Sequence, residues 1–460
     1  MSENANLEER LKQLQNAKEK REYSGPKIQR VAHHLRERKH FGKHYSPRLM
    51  SLGPIHHGDS KLEVGEKYKQ MWAATYMETT GQSPQTLYDR VAGDIQKLKA
   101  LFGEDIFSSN DRFSKYEMQG FRNVEEMICW MLFVDGCALL HILENAKLHV
   151  AHIMNVKVDQ LVLVMQDVLL LENQLPFMLL KLLWRDTIDD RELIQTMKGF
   201  LKCHHWATRN EHKINIKDYP PPAHLLDLQR TIILRRSGPP LQDPKPNANH
   251  MGLKQNFILI KMIMNKKYIF VPIYVTSLVY RNIKELRAAG IALKSSKTRR
   301  PTDMCFSYGW FSSELTLPEI VVDDTTATTL LNLIAYEMCP DFENDYGICS
   351  FVSFLDSLID HADDVKALRS KEILLNSLGS DEEVANLFNT ISTDLVPDMG
   401  KYAHLRAQIE KHYKNKLRTW LALGCNTYFS NPWAIIAFLA AVFGLALTFI
   451  QTCYAIHPAK

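Results

Sequence analysis

The sequence lacks the features expected of a secreted protein. Met1–Arg30 is polar and charged, without the apolar stretch that a secretory signal needs. There is no Asn-x-Ser/Thr glycosylation sequon, and the eight cysteines form no CxxC pair and no regular spacing. Because a chain of 460 residues can bury a large core without disulfides, we expect reduced thiols.

The sequence also lacks the motifs of common enzyme classes. It contains no GxGxxG, P-loop, GxSxG or HExxH motif and no set of kinase motifs. An enzyme is not excluded by this, but no reaction and no cofactor is indicated. The net charge of +4 is modest and does not favour nucleic-acid binding by the whole chain.

One long apolar run stands out, Trp433–Ile456, with 24 residues and no charged side chain. A helix of that length measures about 36 Å, enough to cross a hydrocarbon layer of about 30 Å with some tilt. The sequence therefore predicts a single membrane-spanning helix at its C-terminal end. The candidate membrane residues are Trp433, Ala437, Ala441, Gly444 and Tyr454.

Small residues recur on one face of this predicted helix. Ala437, Ala440, Ala441 and Gly444 follow the spacing i, i+3, i+4 and i+7. Small residues let two membrane helices approach closely, so self-association through this face is one interpretation. The alternative is ordinary membrane composition, in which such patterns are common.

A basic stretch, Lys401–Arg418, precedes the apolar run and contains a single acid, Glu410. Basic residues near a membrane attract anionic lipid, and they orient a spanning helix with its basic side in the cytosol. The stretch predicts a cytosolic body, although a solvated helix face would look the same. The candidate lipid-contact residues are Lys411, Lys414, Lys416 and Arg418, and Cys425 is a candidate for lipidation.

Two other apolar runs are predicted to be buried in the fold. Leu161–Trp184 is interrupted by charged and polar residues, and a charge at mid-bilayer costs about 2.5–3.5 kcal/mol. We therefore predict two buried helical pieces that meet at Asn173–Pro176. Asn123–Ala146 is apolar on nearly all sides, which predicts a core helix that the Asp135–Gly136 pair could break or bend.

The remaining periodicities predict a mainly α-helical fold with a small sheet. Strands are predicted over Lys267–Thr276 and Met304–Val322, and a helix with a glycine stop over Asn282–Gly290. Further helices are predicted over Gly65–Phe102, Thr325–Cys339, Tyr346–Ala362, Val365–Ser377 and Asp381–Val396. The predicted divisions are a polar arm (1–27), one large domain (28–418) with a proline-rich loop (236–256), a juxtamembrane segment (419–432), the membrane helix (433–456) and a tail (457–460).

Three groups of residues could carry chemistry. His56, His57 and Asp59 are a weak candidate metal or acid–base site, because adjacent residues of a strand face opposite ways and the Gly53–Pro54 turn offers a structural explanation. The second group, around Cys203 and His212, is too widely spaced on a helix for one ion. In the third group, Asp167, Glu172 and Asn173, we expect hydrogen-bonding partners buried in the core rather than a catalytic carboxylate pair.

Several segments together resemble the plant family known as domain of unknown function 247. They are SLGPIHHGD (51–59), FVDGCALLHIL (133–143), DVLLLENQLPF (167–177), HLLDL (224–228), ELRAAGI (285–291), LLNLIAYE (330–337), SLIDHADDVKALRSKEIL (357–374) and YFSNPWAIIAFLAAVFGLALTFIQTCYAI (428–456). The resemblance implies a plant protein with one helical domain, a C-terminal membrane helix and no established catalytic activity. Some grass members are associated with pollen self-incompatibility, which suggests recognition.

Our first hypothesis is a tail-anchored protein of the plasma membrane whose cytosolic body binds another protein. Association of two copies through the membrane helix is an additional possibility. The second hypothesis is a membrane-associated enzyme of unknown chemistry. Nucleic-acid binding through the basic N-terminal region ranks last, because that region offers only Tyr23, Phe41 and Tyr45 as stacking platforms.

Overall fold

The computed structural model of the chain is mainly α-helical with two small β-sheets, as the sequence predicted. It describes residues 10–12, 14, 25–39, 41–108, 120–185, 190–202, 221–235, 282–296, 298–309, 313–393, 395–398, 400–414 and 432–456. The predicted strand over 267–276, the proline-rich loop over 236–256, the group around Cys203 and most of the N-terminal arm lie outside these residues.

The α-helices follow one another along the whole described chain. They are α1 (His33–Arg36), α2 (Glu63–Thr80), α3 (Pro84–Gly93), α4 (Ile95–Lys99), α5 (Glu104–Ser108), α6 (Val124–Asn145), α7 (Val158–Asp167), α8 (Phe177–Leu183), α9 (Asp190–Leu201), α10 (Leu225–Leu234), α11 (Ile283–Ala288), α12 (Thr326–Glu337), α13 (Gly347–Asp356), α14 (Ala362–Arg369), α15 (Asp381–Ile391), α16 (Ala403–Tyr413) and α17 (Pro432–Ile456). Short 3₁₀ turns cover Gly42–His44, Ser60–Leu62, Leu148–Met154, Leu171–Asn173 and Pro301–Asp303.

The strands are β1 (Ile291–Ser295), β2 (Cys305–Ser307), β3 (Ser313–Leu317), β4 (Ile320–Val322) and β5 (Leu374–Asn376). The first three form one sheet in the order β1-β3-β2, in which β1 is parallel and β2 antiparallel to β3. Strands β4 and β5 pair in parallel as a second sheet. The strand–turn–strand character predicted for Met304–Val322 is confirmed.

The described fold comprises two compact units. The first contains Met1–Met197, Tyr219–Asp227 and Asn332–Asp345. The second contains Lys198–Asp218, Leu228–Leu331 and Tyr346–Lys460.

Helix α6 is the core helix of the first unit, and α2, α3 and α8 pack against it. The Asn123 side chain caps its first turn by accepting the Glu126 N–H at 2.8 Å. The break that the Asp135–Gly136 pair could have introduced does not occur, because the helix is continuous through both residues. Instead, Asp135 binds partners outside the helix, and a side chain at position 136 would overlap Leu183.

The run Leu161–Trp184 forms two buried helices, as predicted. Helices α7 and α8 are separated by the 3₁₀ turn Leu171–Asn173 and meet at an angle of 101°. Two backbone groups that the break exposes find partners within the first unit: Leu171 N–H donates to Asn332 Oδ1 at 2.8 Å, and Phe177 N–H donates to the Ala223 carbonyl at 2.8 Å. The break is therefore hydrogen-bonded in the core.

In the second unit, buried polar side chains join helices to the first sheet and to each other. His412 of α16 lies between the Ser313 hydroxyl at the start of β3 and the Ala289 carbonyl, each 2.9 Å from a ring nitrogen. The Asp364 carboxylate accepts the Lys284, Asp360 and His361 N–H groups. The predicted helix over Asn282–Gly290 is confirmed as α11, which Asn282 caps and after which Gly290 adopts a φ of 81°.

One predicted helix was partly wrong. The sequence predicted helix over Val365–Ser377, but α14 ends at Arg369 and Leu374–Asn376 is strand β5. Glu372 adopts a positive φ of 54°, which ends the helical conformation before the strand.

Gly65 in the first turn of α2 allows the helix to contact the backbone of Leu49 and Met50 directly. A Cβ atom at position 65 would lie 2.8 Å from Met50 Cα and would also overlap the Leu49 carbonyl oxygen. We expect Gly65→Ala to lower the free energy of unfolding by roughly 1–3 kcal/mol, since backbone atoms must move apart. Urea unfolding of the full-length protein in detergent, followed by tryptophan fluorescence, measures this change.

Gly93, in the last turn of α3, provides the matched control. It is exposed, and no atom lies within 4 Å of its added Cβ. We expect Gly93→Ala to leave stability unchanged or raise it by about 0.5–1 kcal/mol. Equal effects of the two substitutions would contradict close packing at Gly65.

Candidate functional site

The strongest candidate site is a buried polar cluster around Arg48–His57 in the first unit, a segment that belongs to no helix or strand. Several of its members come from the helices that the apolar runs form: Asp135 from α6, Asp167 from α7, and Glu172 and Asn173 from the 3₁₀ turn. All four side chains belong to residues that are buried. Because Arg48–His57 lacks the regular hydrogen bonds of a helix or strand, its buried amides need acceptors from elsewhere.

Asp167 and Asn173 supply several of these acceptors. The Asp167 carboxylate accepts the N–H groups of Arg48, Leu49 and Met50 at 3.0, 2.8 and 3.0 Å. Asn173 accepts the Leu52 N–H at 2.6 Å and donates to the Met50 and Asp167 carbonyls. Burial raises the pKa of Asp167, and these backbone donors oppose the shift. The structural interpretation of Asp167 and Asn173 is confirmed.

Glu172 binds two further stretches of chain. Its carboxylate accepts the Val31 N–H at 2.7 Å and lies 2.9 Å from His56 Nε2, and it also forms an ion pair with Arg36. Burial alone would raise the pKa of Glu172, but the hydrogen bond with His56 and the Arg36 charge outweigh it and lower the pKa. Glu172 is therefore a carboxylate at neutral pH that joins α1 to the segment.

Lys69 of α2 is the charge centre of the cluster. Its ammonium group lies 2.7 Å from Asp135 Oδ1, 2.8 Å from Glu66 Oε1 and 3.3 Å from the Ser51 hydroxyl. The side chains of Lys69 and Asp135 are each only 1% exposed. Asp135 also accepts the Gly53 N–H at 2.8 Å. Burial opposes the charge on Lys69, but the two carboxylates prevail and raise its pKa.

The three weak metal candidates have different surroundings. His56 is bound to Glu172, whereas Asp59 is exposed and accepts the Lys61 N–H at the start of a 3₁₀ turn. His57 has a buried Nδ1 atom without a hydrogen-bond partner, and burial lowers its pKa. Within the described ranges, no three His, Cys, Asp or Glu side chains are arranged to hold a metal ion.

The Ser51–Lys69 pair is the part of the cluster that most resembles catalytic chemistry. A lysine activates a serine only as a neutral base, which requires a lowered pKa. Here the pKa of Lys69 is raised, and Ser51 Oγ donates to Glu66 Oε1 at 2.7 Å. The geometry fits a fixed Lys69–Asp135 ion pair that holds the segment Arg48–His57 at Ser51 and Gly53. It does not fit an activated serine nucleophile.

Arg36, Ser51 and Lys69 were missed in the sequence. Ser51 begins the SLGPIHHGD (51–59) motif but was not singled out for chemistry, and Arg36 and Lys69 lie outside the quoted motifs. A buried lysine has no local sequence signature, because long charged residues usually lie on the surface. The one available signal was Asp135 itself, an acid in an otherwise apolar helix, which requires a partner of opposite charge.

The predicted membrane residues lie on α17, which begins one residue before the predicted span. Ile436–Cys453 is long and apolar enough to cross a membrane, and none of it is buried in the fold. Trp433 is 75% exposed, and Ala437, Ala441 and Gly444 are exposed on the same helix. Tyr454 lies in its last turn. The Thr448 hydroxyl is bonded at 2.8 Å to the Gly444 carbonyl, so it needs no water.

Two more segments pass the same test of length and composition, but they lie inside the fold. In α6, 89% of the apolar window is buried. Helices α7 and α8 pass the test only when they are taken together as one broken span, and they meet at 101°. Their apolar surface is already covered by protein. Among the described residues, α17 is the apolar helix of membrane-spanning length whose span, Ile436–Cys453, is not buried in the fold.

The basic stretch before α17 is only partly described. Lys411 is exposed on α16, and Lys414 forms an ion pair with Glu410. The structure does not describe Lys416, Arg418 or Cys425. The predicted lipid contacts and lipidation therefore stay predictions.

A fully buried histidine, His224, lies just before α10. His224 Nδ1 accepts the Asp227 N–H at 3.2 Å, and its ring packs edge-on against Tyr336 at 4.8 Å between centroids. Its Nε2 atom is buried without a hydrogen-bond partner. Burial lowers the pKa of His224 to about 4, so this residue is neutral at physiological pH.

Comparison with known proteins places nearly the whole chain in one family. Residues 28–447 match the family model described as DUF247, plant protein of unknown function. UPF0481 protein At3g47200 of Arabidopsis thaliana is 23% identical over 439 residues, which are 90% of this chain and 83% of the relative. A second UPF0481 protein of Arabidopsis thaliana, At3g02645, is 27% identical over 181 residues, or 39% and 34% of the two chains. No solved structure matches.

We expect Lys69→Met to lower the free energy of unfolding by about 3–5 kcal/mol, because it leaves Asp135 buried without its counter-charge. Lys67→Met on the same helix is the matched control. The Lys67 side chain is 72% exposed and pairs only with Glu63, so its loss should cost less than about 1 kcal/mol. Urea unfolding of the full-length variants in detergent measures both, and similar losses would contradict the proposed role of Lys69.

The low pKa of His224 predicts a stability that falls in acid. The unfolded histidine, with a pKa near 6.5, binds more protons than the folded one between pH 6.5 and about 4. The contribution is complete above pH 6.5, and about 2 kcal/mol of it is lost at pH 5. His224→Asn keeps the cap acceptor but does not titrate. Its loss of stability from pH 7.5 to pH 5 should be smaller than that of the unmodified protein, and an equal loss would refute this assignment.

Proposed function

Because the chain belongs to the DUF247 family of plant proteins, whose function is unknown, we propose that it is a membrane-anchored binding protein. In this proposal, α17 spans the membrane and the folded body binds another protein in recognition or signalling. The observation that carries the proposal is an unburied apolar helix of membrane-spanning length in a chain with an otherwise well-formed core.

Occupation of the polar cluster supports binding over catalysis. Asp135, Asp167 and Glu172 each accept a backbone N–H, and Lys69 is held between two carboxylates. An active site normally keeps an acid, base or nucleophile available to a substrate. A membrane-associated enzyme remains the second hypothesis, and His57, with its unbonded Nδ1, is the residue that would favour it.

The location that we propose is the plasma membrane, with the body in the cytosol. The basic stretch before α17 supports this orientation through the positive-inside rule. The small face at Ala437, Ala441 and Gly444 is exposed along the helix, which supports association of two copies in the membrane. We expect no nucleic acid among the partners.

Charges placed within α17 test the anchor. In Leu445→Arg/Phe449→Arg, each arginine at mid-bilayer should oppose insertion by about 2.5–3.5 kcal/mol. The double variant should leave the carbonate-resistant membrane fraction of plant cells and become soluble. Val396→Arg, at an exposed position of the body, is the control and should stay in the membrane. Retention of the double variant would show that α17 is not the anchor.

Two further measurements test orientation and binding. A fluorescent tag at Met1 should be destroyed by protease in cells with a permeabilised plasma membrane, and protection of the tag would contradict a cytosolic body. Affinity capture of the full-length protein from plant tissue should recover the same partner repeatedly. Recovery of no reproducible partner would count against a binding role.

A further inference from the structure

A stretch of chain rich in basic residues lies in the N-terminal part of the first unit. Residues 33–48 contain nine basic side chains and a single acid, Glu37. The basic side chains are His33, His34, Arg36, Arg38, Lys39, His40, Lys43, His44 and Arg48. With histidine neutral, these 16 residues carry five positive charges and one negative charge. We call residues 33–48 the basic segment.

The fold fixes this segment and leaves three of its five cations exposed. Leu35, Phe41 and Tyr45 are buried in the core, and Glu172 and Asp167 bind the backbone at Val31 and Arg48 on either side. Between the buried positions, Lys39, Lys43 and Arg48 are exposed. These cations therefore project from a folded surface and do not belong to a free tail.

Acids beside the segment offset part of its charge, and one of them, Asp167, accepts the Arg48 N–H and lies close to the Arg48 charge. Glu37 lies 3.2 Å from His33, and the buried Glu172 pairs with Arg36 and His56. The Arg48 guanidinium donates to Gln166, an uncharged amide. Lys39, Lys43 and Arg48 thus present positive charge to the solvent.

We propose that the basic segment binds anionic lipid headgroups at the surface of the membrane that holds α17. This inference rests on the proposed membrane anchor. Basic residues near an anionic membrane are attracted by its surface potential, and the interaction needs no insertion of apolar side chains. The buried state of Leu35, Phe41 and Tyr45 fits such purely electrostatic binding.

The same burial disfavours a nucleic acid as the partner. Proteins that bind single strands combine basic grooves with exposed aromatic rings on which bases stack. Both aromatic residues of the basic segment are in the core, with Phe41 6% and Tyr45 0% exposed. The segment offers positive charge without a stacking platform, and that chemistry matches a lipid headgroup surface.

Acylation of individual lysines tests the proposal on the full-length protein in lipid nanodiscs. Nanodiscs of phosphatidylcholine alone are compared with nanodiscs that also contain phosphatidylserine, and modified lysines are quantified by mass spectrometry. We expect acylation of Lys39 and Lys43 to fall roughly fivefold with phosphatidylserine, the ratio that corresponds to about 1 kcal/mol per basic residue. Lys67 and Lys97, both with side chains 72% exposed, should change little.

Charge reversal within the segment gives the decisive comparison. In Lys39→Glu/Arg48→Glu, Lys43 should lose its protection by phosphatidylserine, whereas Lys67→Glu/Lys97→Glu should keep it. Thermal unfolding checks that both variants are folded. Equal acylation of Lys43 in the two kinds of nanodisc would overturn the proposal, and so would protection of Lys43 by an oligoribonucleotide but not by phosphatidylserine.

Failure of the membrane anchor would be seen separately, as failure of the protein to enter nanodiscs. Sedimentation of the same protein with phosphatidylserine vesicles then decides the role of the basic segment. Co-sedimentation that is lost in Lys39→Glu/Arg48→Glu and kept in Lys67→Glu/Lys97→Glu would support lipid binding. Absence of co-sedimentation would overturn it.

Discussion

Asp167 and Asn173 accept backbone N–H groups from the segment Arg48–His57, and the first unit depends on this interaction. Met50 and Leu52 are fully buried, yet the segment lies in neither a helix nor a sheet. Without side-chain acceptors, each of these amides would cost about 1–3 kcal/mol. The carboxylate and amide oxygens of the α7–α8 break remove that penalty. Asp167 ends α7 and Asn173 lies in the 3₁₀ turn before α8. The break between the two helices therefore positions both acceptors.

This dependence explains why acids occur in the most apolar parts of the sequence. A buried carboxylate is stable only with donors or a counter-charge, and Asp135 has both in Gly53 N–H and Lys69. Substitution of Lys69 would leave Asp135 buried without its counter-charge, whereas substitution of Asp135 would leave Lys69 with Glu66 as its carboxylate partner. The same requirement limits chemistry at the site, because groups that hold the backbone in place are not free to bind a substrate.

Local signals predicted much of the fold, and non-local pairings account for the errors. The stop at Gly290 and the break before Pro176 depend on neighbouring residues, and both predicted features are present. Strand β5 has only three residues and pairs with β4 more than 50 positions earlier, so no periodicity marks it. Lys69 was missed for the same reason: its partner Asp135 lies on another helix, and only the fold brings the two together.

The contrast between α6 and α17 shows what hydropathy can and cannot decide. Both are apolar and long enough to span a bilayer, and composition alone does not separate them. Helix α6 carries Asp135, whose charge requires the Lys69 ammonium, and its surface is covered by α2, α3 and α8. Helix α17 has no charged residue, and its side-chain hydroxyls at Thr448 and Thr452 bond to carbonyls of the preceding turn. These two hydroxyls are thus satisfied without protein or water around them, the condition that a hydrocarbon environment imposes.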